Sequence, residues 1–119
     1  MRKFLALFAV VLVSSASFAA NGALSMKWTN GVGEVITPIE VTAGGDLGGG
    51  RIVKVTYEAK KSCRNLALGG HSYTADGIQL AGFYMGQKMN VTAGQKFRDE
   101  FVIPADPGNY IVIDLAGCH

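Results

Sequence analysis

The 119-residue chain predicts an all-β protein, a small antiparallel sandwich of about seven short strands with one disulfide. Three observations carry this prediction. Residues 97–103 (FRDEFVI) place Phe97, Phe101 and Ile103 on one parity and Arg98 and Glu100 on the other, the period of a half-buried strand. After Pro107-Gly108, residues 110–113 (YIVI) resume as an aromatic and β-branched run suited to a pleated, mostly buried surface. Elsewhere turn residues recur at short intervals, and no helical periodicity continues beyond the first segment.

That first segment is read as a leader. Arg2-Lys3 precede an unbroken apolar run over residues 4–13, and residues 14–19 are mostly small, with Ser17 and Ala19 placed for a cut. The run is too short to span a bilayer, and the absence of a cysteine at the cut argues against a lipid anchor. Residues 1–19 are therefore expected to be a signal peptide and residues 20–119 a single domain in the periplasm or outside the cell. Removing Arg2 and Lys3 from eleven basic residues leaves nine against nine acidic ones. A neutral chain without a basic stripe argues against nucleic acid as a partner, and nothing after residue 20 is apolar for long enough to cross a membrane.

The strands follow in order. Residues 23–28 (ALSMKW) run into Asn30-Gly31, the dipeptide of a type I′ hairpin turn, and residues 34–42 (EVITPIEVT) follow as a second strand. Pro38 makes that strand an edge or a bend, because it lacks a ladder donor. Residues 43–50 are glycine-rich and read as a flexible connection. They are not a phosphate cradle, since a strand rather than a helix opens after them. Residues 51–59 (RIVKVTYEA) alternate most clearly, with Val53, Val55 and Tyr57 expected in the core. Residues 60–77 read as a long loop with room for one short strand or turn of helix at residues 65–68, residues 78–85 as a central strand, and Gly86-Gln87 and residues 93–95 as turns. Val41-Thr42-Ala43-Gly44 recurs as Val91-Thr92-Ala93-Gly94, an echo that turn chemistry explains. The pair of strands over residues 97–118 is expected to form a hairpin around which the rest assembles.

The corner within it, Asp106-Pro107-Gly108-Asn109-Tyr110, has the form D-x-G-x-Y. It resembles the tyrosine corner of immunoglobulin-like sandwiches, in which the hydroxyl bonds back to upstream backbone. The resemblance implies an immunoglobulin-like architecture with Asp106, Gly108 and Tyr110 as structural residues, and Tyr110 opening a sixth strand with no seventh after it. It implies no activity.

Cys63 and Cys118 form an even pair, most simply a disulfide in an oxidising compartment, with paired metal-binding thiols as the competing reading. His71-Ser72 and Asp76 are neighbours in one segment, a poor arrangement for a triad, and no nucleophile elbow is present. Asp99-Glu100, being sequential, point to opposite faces and read as a solvated pair. The chain is thus expected to be no enzyme and to need no cofactor. A small copper- or zinc-binding protein is the alternative, with His71, His119, Met85 and Met89 as ligands and Met26 a further thioether. The preferred reading is a binding module whose recognition loop carries Lys60, Lys61, Arg64, His71 and Tyr73. Its partner would be another protein or a cell-surface polymer. Asn90-Val91-Thr92 also fits a glycosylation sequon.

Overall fold

The strand with the clearest alternation lies at the middle of a sheet. In the computed structural model, which describes residues 13–16, 24–46 and 48–119, strand β4 (Gly50–Ala59) has Val53, Val55 and Tyr57 fully buried, as their shared parity requires. Two strands flank it antiparallel, β3 (Ile36–Asp46) and β7 (Lys96–Pro104), giving a three-stranded sheet of order β3-β4-β7. Facing it is a larger sheet containing β2 (Ser25–Thr29), β8 (Tyr110–Cys118), β5 (Cys63–Tyr73) and β6 (Gln79–Val91), in that spatial order. Seven strands from Ser25 onward thus form a β-sandwich. The β2–β8 pair is parallel, with Met26 opposite Ile111, and the other pairs are antiparallel. Between the sheets lies one apolar core, built from Met26, Ile36, Val41, Val53, Val55, Leu66, Leu68, Ile111 and Ile113 among others.

Most of the predicted leader, residues 1–12 and 17–19, lies outside the described residues. Its remaining stretch forms a further strand, β1 (Val13–Ala16), antiparallel along the free edge of β2.

Several expectations are corrected. Residues 60–77 are not a loop, for β5 occupies Cys63–Tyr73 and is paired on both sides. Asn30-Gly31 form no hairpin. They begin a one-turn helix, α1 (Asn30–Gly33), because β2 and β3 belong to different sheets and the chain must cross between them; buried Val32 anchors the crossing. The glycine-rich connection is shorter than expected, since β3 continues to Asp46 and positive φ at Gly48 and Gly49 turns the chain into β4. Gly86 lies inside β6 at a register irregularity, so the strand bulges where a turn was expected. Strands β7 and β8 form no hairpin either, for the corner carries the chain from the smaller sheet to the larger. Tyr110 therefore opens the seventh strand counted from Ser25, and the strand missing from the sequence count is β5.

Asp99 is also corrected. It is 8% exposed, accepts a hydrogen bond from the Tyr57 hydroxyl at 2.6 Å and pairs with Lys88 at 2.6 Å. Lys88 belongs to the opposite sheet, so this charge pair pins the two layers together beside the Phe83–Phe101 stack, whose centroids are 4.1 Å apart. Pro38 does mark an edge strand, at a register irregularity of β3.

Candidate functional site

The two outer faces of the sandwich differ in chemistry. On the smaller sheet cross-strand partners alternate charge, with Lys54 opposite Glu100 and Glu58 opposite Lys96, and Arg98 donates to the Thr56 hydroxyl at 3.2 Å. Charged and polar pairs dominate this face, and an apolar exception is Val102, 49% exposed opposite Ile52. The larger sheet instead presents Tyr73, Tyr84, Tyr110, Val112 and Leu115, with Tyr84 57% and Leu115 55% exposed. Exposed aromatic and aliphatic side chains gathered on one face mark a surface suited to contact.

The centre of that face is shaped by Gly69-Gly70 on β5. A Cβ on Gly70 would run into the Val112 carbonyl and the Phe83 ring, so only glycine allows the neighbouring strand and the core aromatic to approach. Both flanking strands bulge there. On β8, Gly69 pairs with Leu115 and Gly70 with Ile113, leaving Asp114 as the extra residue. On β6, Gln87 pairs with Ala67 and Tyr84 with Gly69, which again leaves one residue over. Bulges re-aim side chains, and here Asp114 reaches the imidazole of His71, Oδ2 to Nδ1 at 2.8 Å. Gly69 and Gly82 supply no side chains beside it. The result is a shallow depression of about 440 Å³ lined by His71, Gly82, Phe83, Tyr84, Asp114 and Leu115.

Two residues along β5 from His71, about 6.6 Å at strand rise, the Tyr73 ring stacks on Tyr110 at 5.4 Å. The Lys27 ammonium lies 4.5 Å from the centre of the Tyr110 ring, a cation held by the ring quadrupole. Partial burial, and then the negative charge of Asp114 and the neighbouring Tyr110, raise the Tyr73 hydroxyl above the ordinary tyrosine value. The face thus offers hydroxyls, a carboxylate, an imidazole and an ammonium around an apolar patch. Ser72 is fully buried on the other side of β5, where its hydroxyl donates to the Ala81 carbonyl at 3.4 Å, so it is turned away from His71.

The structure divides the predicted recognition loop. His71 and Tyr73 lie on this face. Lys60 and Lys61 lie in the turn before β5, where Lys60 donates to the Gly33 carbonyl at 2.6 Å, and Arg64 is at the start of the strand. Seven residues of strand, about 23 Å, separate Arg64 from His71. Arg64 instead borders a second depression with Asn65, Asn90, Thr92 and His119, beside the Cys63–Cys118 disulfide. That disulfide is present as predicted, with a Cα separation of 5.2 Å.

The four candidate metal ligands are not brought together. Met85 is buried in the core, His71 lies on the outer face, and His119 follows the disulfide, its backbone paired with Asn65 at the far end of β5. Met89, also exposed, is opposite Asn65. Among the described residues no three His, Cys, Asp or Glu side chains converge as a metal set.

Asp114, Tyr84, Leu115 and Lys27 were missed from the sequence. Only Tyr84 has a hint there, residues 78–85 being apolar on both parities; that pattern predicts a central strand, but β6 lies at the sheet edge and its second apolar face is this exposed surface. Comparison with known protein families, with characterised proteins and with solved structures finds no match to this chain, so its function is argued from this face.

Proposed function

We propose that this chain is an exported, non-enzymatic β-sandwich that binds another macromolecule, a protein partner, through the outer face of its larger sheet. The observation that carries the reading is the exposed Tyr84 and Leu115 flanking the His71–Asp114 pair over a glycine-lined depression, where aromatic rings gather that the opposite, mostly charged and polar face does not present. A rigid sheet with tyrosines, a short apolar patch and orientable polar groups has the composition of an interface centre. Export is supported by the leader-like residues 1–19 and by the disulfide, which suits an oxidising compartment. Among the described residues, no helix is long and apolar enough to cross a membrane.

A photo-crosslinking amino acid placed at Tyr84, and separately at Lys54 on the opposite face, tests the proposal in cells exporting the protein. A discrete adduct is expected from position 84, absent from position 54 and lost when Leu115→Asp is added. No adduct at 84, or adducts equal at both positions, would sink the reading.

A further inference from the structure

From Ser25 onward four strand edges bound the two sheets, and three of them carry prolines, register breaks or several charges that oppose further pairing. Strand β3 has Pro38 and two register irregularities. Strand β6 is irregular against β5 and holds Gly86 and Asn90 at positive φ. Strand β7 bears Lys96, Arg98 and Glu100 and ends in Pro104. Strand β2 (SMKWT) has no proline, no glycine and no register break, and its one charge is Lys27, which lies over Tyr110 on the outer face. Its edge accepts a strand: β1 lies on it antiparallel, from Val13 opposite Thr29 to Ala16 opposite Met26.

Strand β1 falls within residues 1–19, so a cut after Ala19 would remove it. Only residues 20–24 would then precede β2, too few to turn back and lay a new strand along it. A strand laid along that edge would then come from another molecule. We propose that, once the leader is removed, the β2 edge pairs antiparallel with the β2 edge of a second copy. The larger sheets of two protomers then run on continuously across a two-fold axis. This rests on the proposed export and leader cleavage, and leaves the outer face of each protomer open to its partner.

The occupant follows from orientation and register. Identical strands related by a two-fold axis normal to the sheet are antiparallel, the orientation that β1 adopts. Met26 is buried and Trp28 packs on the core, while Lys27 lies outside. A continuous sheet must keep those parities. Setting Met26 against Met26 does so and places Ser25 opposite Lys27 on the outer face. Pairings centred on other residues keep parity too, but Lys27 against Lys27 sets like charges opposite each other, and centring on Ser25 or Trp28 shifts the overlap towards one end of β2. A seam confined to one short strand is small, so association is weak and concentration-dependent.

The test exports the full chain, purifies the secreted protein, reads its N-terminus by mass spectrometry and measures self-association by sedimentation equilibrium. A chain beginning at Ala20 that dimerises, more weakly as Ser25→Lys and more tightly as Ser25→Glu, is the expected result, with circular dichroism showing both variants folded. A processed chain monomeric at every concentration overturns the proposal alone, as does a dimer indifferent to both substitutions. Retention of residues 1–19 overturns it together with the leader reading.

Discussion

At the corner after β7, Asn109 donates to the Pro104 carbonyl at 3.0 Å and accepts from Arg51 at 2.8 Å, while the Tyr110 ring stands on the outer face against Tyr73. The hydrogen bond to upstream backbone that the corner motif assigns to the tyrosine is thus made by the residue before it, which is 1% exposed. The two side chains should respond oppositely to truncation. Asn109→Ala removes both hydrogen bonds and leaves the Pro104 carbonyl without its Asn109 donor at a buried corner, and is expected to cost about 2 kcal/mol in urea unfolding. Tyr110→Phe keeps the ring and its stack, and is expected to shift stability by less than about 0.5 kcal/mol. Tyr57 behaves differently again. Burial first, and then the hydrogen bond to Asp99 and its charge, hold the Tyr57 hydroxyl far above the ordinary tyrosine value. An unfolded tyrosine ionises near pH 10, whereas this one stays neutral in the fold. Its contribution is therefore complete below about pH 10 and is lost as pH rises further, at up to about 1.4 kcal/mol per pH unit. Tyr57→Phe is expected to be less stable by about 2 kcal/mol at pH 7, where it lacks the bond to a carboxylate. The gap should close above pH 10, as urea unfolding followed between pH 7 and 11 would show.

Among the elements, those with strict alternation were legible in the sequence. Strand β4 buries Val53, Val55 and Tyr57, and β7 buries Phe101 and Ile103, as their parities demanded. Strand β5 was not legible, and its composition explains why. Gly69, Gly70, His71 and Ser72 are loop residues by propensity, yet Leu66, Leu68 and Ser72 all face inward at 0–1% exposure. The reason for glycine at position 70 lies in two other strands, the Val112 backbone on one and the Phe83 ring on another. No local pattern reports such a constraint. Asp99 is a similar case, a carboxylate on the core parity of β7 whose meaning depends on Lys88 from the facing sheet. Half of the candidate site shared that fate. His71 and Tyr73 stood out by residue type, but Tyr84 joins them only through its pairing with Gly69, and Asp114 and Leu115 only through the β8 bulge, which shifts parity without marking the sequence.

For the molecule as a whole, the disulfide joins the start of β5 to the end of β8, strands already paired side by side. It closes a loop with a sequence separation of 55, worth about 4 kcal/mol in the chain-entropy model. For a domain of this size that is a large share of the net stability. Replacing both cysteines by serine should lower the unfolding free energy by about that amount, measured by urea titration against the oxidised protein. The parallel register of β2 with β8 has a different consequence, which concerns order in time. Met26 finds Ile111 only after nearly all of the intervening chain has emerged, so no fragment growing from the N-terminal side can complete the larger sheet. Contacts so distant in sequence slow folding. A chain built this way stays open while it is being made and closes late, a property compatible with passage through a translocation channel before the sandwich sets.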